Sequence, residues 1–182
     1  GEILAMVSRP NFDPNHRDTF QPEAMKERAI ADAYEPGSTF KIVTLAAGLN
    51  EGVADLSSTF FCENGQMMMA GHWLKDHEAY GLLTLREVIA KSSNIGMAKL
   101  ATLLGEEKLH HYGRLFGFGA KAQKGEGILP GETSGTLHPL KKWTKVSLTR
   151  FPMGYEIAVT NLQMALAYAA IANGGKRMEP RL

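Results

Sequence analysis

The stretch that begins at Ser38 constrains the fold more than any other, because it is apolar on nearly every side of a helix. Pro36-Gly37 interrupts the chain before it, and Asn50-Glu51-Gly52 ends it. A helix without a polar stripe has to be covered all round by other elements. The sequence therefore predicts a buried helix at the centre of the fold, with the apolar residues Phe40, Ile42, Val43, Leu45, Ala46, Ala47 and Leu49.

Start and stop signals predict further helices around this one. Thr84 with Glu87, and Thr160 with Gln163, have the spacing of a capping box, in which two side chains satisfy free N–H groups at a helix start. The predicted helices cover residues 22–34, 84–90, 95–104, 106–116 and 161–173. Residues 1–7 predict a short strand, residues 53–80 short strands and loops, and residues 117–150 a loop-like region. The chain is predicted to be helix-rich, with one or two strands near its start.

Length and charge narrow the possible functions. A chain of 182 residues can bury a core and form one domain, or most of one. The formal net charge of +1 gives no electrostatic basis for binding nucleic acid. Cys62 is the only cysteine, which excludes an internal disulfide and a Cys-rich metal site. His72 and His77 flank Asp76, but no third ligand has helical or hairpin spacing to them, so they do not define a metal site.

Chemistry is indicated by the stretch YEPGSTFK, residues 34–41. Ser38 and Lys41 are three residues apart, so they share one helical face and the amine points toward the Ser38 oxygen. Burial lowers the pKa of a lysine, and a neutral amine beside a hydroxyl can take its proton and release a nucleophile. The Ser38 N–H can help to stabilise a carbonyl oxygen that becomes an anion. The spacing suits acyl transfer through a serine ester; the alternative is a capping serine and a lysine that extends to solvent.

A second polar cluster, Ser92-Ser93-Asn94, lies at the break between two predicted helices. Ser92 can pass a proton between Lys41 and a leaving amine. Asn94 can hold Lys41 in place or donate to a substrate carbonyl. The alternative is that Asn94 only caps the helix that begins at Ile95. Both roles are compatible, because a cap lies at an exposed helix end where a cleft can form.

These motifs, in this order, resemble the transpeptidase domain of class B penicillin-binding proteins. The matching stretches are YEPGSTFK, KSSNIGMAKLA, FGFG, GILPGE and VTNLQMALAYAAIANGG. The opening GEILAMVSRPNFDPN is similar to the cell-division subgroup, and the resemblance covers essentially the whole chain. It implies the α/β (α+β) fold that these enzymes share with serine β-lactamases.

The resemblance implies a peptidoglycan D,D-transpeptidase of septal wall synthesis. Ser38 would be the nucleophile, acylated by the D-Ala-D-Ala end of a stem peptide or by a β-lactam antibiotic. Lys41 would be the general base, Ser92 would relay the proton to the departing D-Ala, and Asn94 would orient the substrate amide and Lys41. No metal or organic cofactor is implied.

The resemblance also implies a cellular setting. Family members are anchored by an N-terminal membrane helix, with this domain outside the cytoplasmic membrane, in the periplasm. Their partners are a membrane glycosyltransferase and other proteins of the divisome. No signal peptide or apolar run long enough to span a membrane is present in residues 1–182.

Two departures from the family pattern stand out. The third family motif, Lys-Ser/Thr-Gly on a strand that closes the site, has no match, since Gly174-Gly175-Lys176 is followed by Arg177-Met178 and fits a helix end. We therefore expect residues 1–182 to be a partial transpeptidase domain, truncated before that strand, without most of the antiparallel sheet and with exposed strand edges. Such a fragment is expected to be a poor enzyme or inactive alone. Glu156 stands where the family commonly has glycine, which puts the local turn in question.

Two alternatives of the same fold stay open. A serine β-lactamase would need a glutamate that activates the deacylating water, and Glu126 lies at a suggestive distance beyond Ser92. Pro130, however, stands where the β-lactamase pattern ends in Asn. A β-lactam sensor would keep the pocket and become acylated without turnover. The fate of the acyl group separates these two from a transpeptidase.

Overall fold

The structure, a computed structural model, describes residues 1–122 and 129–181 and consists mainly of helices joined by short strands. The α-helices in these ranges are α1 Arg28–Ala31, α2 Lys41–Asn50, α3 Leu85–Ala90, α4 Asn94–Leu104, α5 Glu106–Leu115, α6 Ser147–Arg150 and α7 Asn161–Ala172. The strands are β1 Thr59–Phe61, β2 Gln66–Met69, β3 His72–Lys75, β4 Leu82–Thr84, β5 Thr136–Leu137 and β6 Ile157–Ala158. They form three two-stranded antiparallel sheets, β1 with β4, β2 with β3, and β5 with β6. None of these helices combines the length and the apolar character that a membrane crossing requires.

The predicted buried helix is confirmed as α2, which lies at the centre of the core. It packs against α3, α4 and α5. It follows a 3-10 turn, Gly37–Phe40, in which Ser38 lies. The fully buried ring of Phe40 contacts Phe118 and Phe151, with ring centroids 5.2 and 5.0 Å apart. These aromatic contacts fix the position at which α2 begins.

Both predicted capping boxes are confirmed. The Thr84 hydroxyl accepts the N–H of Glu87 at the start of α3, and the Glu87 carboxylate accepts the N–H of Thr84. Thr160 and Gln163 make the same reciprocal pair at the start of α7. A cap of this kind contributes about 1 kcal/mol to helix stability. The predicted helices over residues 95–104 and 106–116 are confirmed as α4 and α5, each within one residue at either end.

The predicted helix over residues 22–34 is wrong. The chain forms a 3-10 turn, Pro22–Met25, then an extended break at Lys26 and Glu27, and then the single turn α1. The Glu27 carboxylate accepts the N–H of Ala29 at 3.2 Å. It therefore caps a second helix start where the sequence pattern suggested a continuous helix.

The predicted strand over residues 1–7 is wrong as well. Glu2 alone pairs among these residues, in an isolated parallel bridge with Arg181. A strand needs main-chain partners along its length, and this stretch has them only at its first residues. Leu4 and Val7 are accordingly 88% and 78% exposed.

The described part of the region 117–150 contains more order than the predicted loop. It includes β5, a 3-10 turn and α6. The buried Glu132 carboxylate accepts the N–H of Ala122 at 2.5 Å, and the Gln163 amide donates to the carbonyls of Ala120 and Ser134. Bonds from side chains to the main chain follow no hydrophobic period, so the sequence pattern did not indicate them.

Candidate active site

The side chain of Lys41 is the centre of a polar cluster inside the core. It lies at the start of α2 and is 1% exposed. Its ammonium donates to the Ser92 carbonyl at 2.6 Å, to Ser92 Oγ at 2.9 Å and to Asn94 Oδ1 at 2.7 Å. An ammonium has three N–H donors, so each of them has an acceptor. The structure thus brings together Lys41, Ser92 and Asn94, three of the four residues that the sequence singled out.

Burial lowers the pKa of Lys41 from its ordinary value of 10.5 to about 8. The main cause is the loss of water around the charged amine, and the Asp76 carboxylate acts in the opposite direction and raises the pKa. A usable fraction of the amine is therefore unprotonated near neutral pH. A lysine in this state can accept a proton from a hydroxyl.

The turn between α3 and α4 carries Ser92 and Asn94 to the lysine. Ser92 has a left-handed backbone, with φ +54°, which redirects the chain after α3. Ser93 Oγ then accepts the N–H of Gly96 at 3.0 Å and caps α4. The interpretation of Asn94 as the cap is therefore wrong. Because Ser93 takes that role, the Asn94 side chain can reach the ammonium.

Ser38 lies apart from this cluster of hydrogen bonds. Its side chain is exposed, and among the described residues no hydrogen bond joins it to Lys41. The expected contact is absent because the turn between α3 and α4 occupies all three ammonium donors. The Ser38 carbonyl accepts the N–H of Lys41, and the neighbouring Gly37 N–H donates to the Gly154 carbonyl at 3.1 Å. Residues three apart eclipse in a 3-10 turn, so Ser38 and Lys41 remain on one side of the chain.

Asp76 is a part of the site that sequence reasoning missed. One of its carboxylate oxygens accepts the N–H groups of Asn94 at 2.5 Å and Ile95 at 3.1 Å. The other accepts the Ser93 hydroxyl at 2.7 Å. Asp76 directly follows β3, which is an ordinary turn position. Nothing in the sequence links it to a helix start 18 residues later.

The sequence pattern had suggested only one role for Asp76, as a metal ligand together with His72 and His77. Within residues 1–122 and 129–181, no group of three or more His, Cys, Asp and Glu side chains could hold a metal ion. The carboxylate instead serves main-chain and hydroxyl donors. Glu126, the glutamate that a β-lactamase would need, lies outside the described residues.

The turn at Glu156 adopts a conformation that favours glycine. Glu156 has φ +59°, and its N–H donates to Glu35 Oε1 at 2.9 Å. The turn begins at Gly154, whose carbonyl holds the Gly37 N–H beside Ser38. A non-glycine residue in the left-handed region costs about 1–2 kcal/mol because Cβ approaches the main chain.

We therefore expect Glu156→Gly to raise the free energy of unfolding by about 1 kcal/mol. Urea unfolding at pH 7 measures this. Glu156→Ala is the matched control, since it removes the carboxylate and keeps the Cβ, and it should bring no gain. Equal gains in both variants would show that the charge, and not the backbone, destabilises the turn.

Comparison with known proteins relates this arrangement to one family. Residues 1–182 match the penicillin-binding protein transpeptidase domain. A probable peptidoglycan D,D-transpeptidase, PbpC, of Pseudomonas aeruginosa is 38% identical over 177 residues. The peptidoglycan D,D-transpeptidase FtsI of Escherichia coli is 37% identical over 175 residues. The alignments cover 97% and 96% of this chain but 31% and 29% of the relatives, so the chain spans less than a third of their length.

A solved structure shows the same fold. Penicillin-binding protein 3 of Mycobacterium tuberculosis, in complex with aztreonam, matches with a TM-score of 0.79 and 33% sequence identity. The match covers 87% of this chain and 35% of that one. The helix-rich α/β fold that the motifs implied is thereby confirmed. The chain belongs to the family of penicillin-binding protein transpeptidase domains.

Proposed function

We propose that this chain supplies the acylating site of a peptidoglycan D,D-transpeptidase, with Ser38 as the nucleophile and Lys41 as the general base. The observation that carries the proposal is the buried Lys41 amine, with a pKa of about 8, held by three acceptors one turn beyond an exposed hydroxyl. Residues 1–182 would form part of the transpeptidase domain, in keeping with the share of its relatives that the chain spans.

The four residues would act in a fixed order. Ser38 Oγ attacks the carbonyl carbon between the two D-Ala residues of a stem peptide, and its proton passes to Lys41. As the C–N bond breaks, Ser92 gives its proton to the departing D-Ala amine and takes one from Lys41. Asn94 orients the substrate amide. An amine of a neighbouring stem peptide then attacks the serine ester, which forms the cross-link and returns the proton to Ser38.

β-Lactam antibiotics would acylate the same serine, because attack on the lactam carbonyl opens the ring and leaves an ester. The aztreonam complex of the M. tuberculosis relative supports this part of the proposal. We extend the proposal to the setting that the family implies. In it the protein is membrane-anchored, this domain is periplasmic, and it works in septal wall synthesis beside a membrane glycosyltransferase and other divisome proteins.

The fate of the acyl group tests the proposal. Benzylpenicillin is added to the protein at its full encoded length, and intact masses are recorded over time. The expected result is a long-lived adduct, together with transfer of a D-Ala-D-Ala peptide to an amine acceptor. Rapid loss of the adduct as hydrolysed penicillin would indicate a β-lactamase, and a stable adduct without peptide transfer would indicate a sensor. Absence of any adduct would contradict the proposal.

Residues 1–182 alone, measured in parallel, are expected to label slowly or not at all. The family strand with Lys-Ser/Thr-Gly has no match in this chain, so one oxyanion donor and the carboxylate-binding group would be missing. Labelling as fast as that of the longer protein would show that two motifs suffice to assemble the site.

A further inference from the structure

We propose that Asp76 is a positioning residue for this reaction. It orders the start of α4, so that Ser92 and Asn94 hold Lys41, and it places a negative charge that acts on that lysine. The inference rests on the proposed function, in which Lys41 is the base. The roles of the four motif residues do not by themselves predict a carboxylate at position 76.

The Asp76 carboxylate binds three consecutive residues at the start of α4. It accepts the Ser93 hydroxyl at 2.7 Å and the N–H groups of Asn94 at 2.5 Å and Ile95 at 3.1 Å. Charge-assisted bonds to the main chain at a helix start are stronger than neutral ones, and the helix dipole adds to them. The carboxylate therefore fixes where α4 begins and how its first residue is oriented.

Asp76 is itself fixed by the hairpin of β2 and β3. Its N–H donates to the Gly65 carbonyl at 3.0 Å, next to the paired residues Gln66 and Lys75. The Lys75 carbonyl in turn accepts the Asn94 amide at 2.8 Å. The carboxylate thus approaches α4 from a regular element, which gives it a defined geometry.

Asn94 is held from three directions as a result. Its main-chain N–H binds Asp76, its amide nitrogen binds the Lys75 carbonyl, and its Oδ1 accepts the Lys41 ammonium at 2.7 Å. A continuous path of hydrogen bonds runs from the end of β3 through Asn94 to α2. Removal of Asp76 would release the main-chain end of that path.

Other charged groups around Lys41 do not take the place of Asp76. Among the described residues, Asp76 carries the charge that raises the pKa of Lys41. The ammonium of Lys99 is paired with Glu63 at 2.6 Å, and that of Lys91 lies over the Tyr80 ring, 5.2 Å from its centroid. The further ionisable groups on the helices packed against α2 are Arg86 and Glu87 of α3 and Glu106, Glu107, Lys108, His110, His111, Tyr112 and Arg114 of α5.

Asp76→Asn tests both parts of the inference in the protein at its full encoded length. The second-order rate of acylation by benzylpenicillin at pH 8 is expected to fall about ten- to a hundredfold, by analogy with the loss found when the hydrogen-bond partners of metal ligands are removed. The acid limb of the pH profile, along which the rate rises as Lys41 loses its proton, is expected to move to lower pH. The sign follows because the carboxylate favours the charged lysine, so its loss lowers the pKa. A purely structural role would reduce the amount of active protein and leave the limb in place.

Two further variants serve as comparisons: Asp76→Glu separates the charge from the contacts, and Asp55→Asn is the matched control. Glutamate keeps the charge and displaces the contacts, so acylation should slow while the acid limb stays at the wild-type pH. Asp55 accepts the N–H groups of Ser57 and Ser58 in an exposed turn. It is a matched carboxylate without a link to Lys41, and its variant should keep both the rate and the limb.

Three results would overturn the inference. They are an unchanged acylation rate in Asp76→Asn, an acid limb at the wild-type pH in that variant, and an equal shift of the limb in Asp76→Glu. Rates are taken per folded molecule, with the folded fraction measured by thermal unfolding. If Asp76→Asn does not fold, Asp76→Glu decides, since a wild-type rate there refutes the positioning role. Failure of the wild-type protein to be acylated would refute the proposed function itself, which is a separate outcome.

Discussion

Ser38→Ala is expected to abolish covalent labelling by benzylpenicillin, with a loss of at least about a thousandfold in the acylation rate. The hydroxyl is the group that forms the ester, and alanine offers no atom that could replace it. Intact mass spectrometry shows the result directly, as an unshifted mass in the variant under conditions that fully label the wild-type protein. Because the Ser38 side chain is exposed, the change should alter the free energy of unfolding by less than about 0.5 kcal/mol.

Ser57→Ala is the matched control for this experiment. Ser57 is also an exposed serine in a turn, where its hydroxyl donates to Asp55 Oδ1 at 2.6 Å. This variant should label at the wild-type rate. A persistent adduct in Ser38→Ala would place the nucleophile elsewhere and would overturn the assignment of the site.

Lys41→Met is expected to slow acylation by about a hundred- to ten-thousandfold, the range for loss of a general base. The pH profile carries the stronger test. The reactive form of Lys41 is the neutral amine, and its pKa is about 8. Below that pH the wild-type rate should therefore rise by about tenfold per pH unit, and above it the rate should level off. In Lys41→Met this rise should disappear. Stopped-flow measurement with a chromogenic cephalosporin between pH 5 and 10 would record both profiles.

Lys99→Met is the control for Lys41→Met. It shows whether the slower acylation comes from loss of the base or merely from removal of a partly buried ammonium. The Lys99 ammonium donates to the Phe61 carbonyl and to Glu63, both at 2.6 Å, and the proposed reaction gives it no role. Its variant should retain the rise near pH 8 and a rate within about twofold of wild type. A profile for Lys41→Met that still rises near pH 8 would mean that another group is the base.

The sequence predicted those parts of the fold that depend on local patterns. The apolar stretch after Pro36-Gly37 identified the central helix, and the spacing of Thr84 with Glu87 identified the start of α3. Both signals act within one helix, so they can be detected without knowledge of the tertiary structure. The local pattern gave a wrong prediction at Glu27. It indicated one continuous helix there, whereas the Glu27 side chain caps the start of a separate helix.

The sequence predicted which residues form the site, but it did not predict all the hydrogen bonds among them. Lys41 with Ser92 and Asn94 was expected, and the structure brings these three together. The expected bond from Lys41 to Ser38 is absent, because Ser92 and Asn94 accept all three ammonium donors. Asp76 escaped prediction, since its partners lie 17 to 19 residues away and no periodic signal links them. Contacts between separate elements can be identified only from the folded structure, whereas the residues of a motif can be identified from the sequence.

The three acceptors around the Lys41 ammonium determine the order in which protons can move. A neutral amine has two N–H donors and a lone pair, so one of the three contacts has to reverse. The Ser92 carbonyl has no proton to give, and the Asn94 amide nitrogen is engaged with the Lys75 carbonyl. Of these three acceptors, only the Ser92 hydroxyl can turn its proton toward the amine, and it turns away again when the lone pair accepts the Ser38 proton. The Ser92 proton becomes available to a leaving group only after Lys41 has become charged. Ser92 therefore cannot act as the acid in the second step until Lys41 has acted as the base in the first.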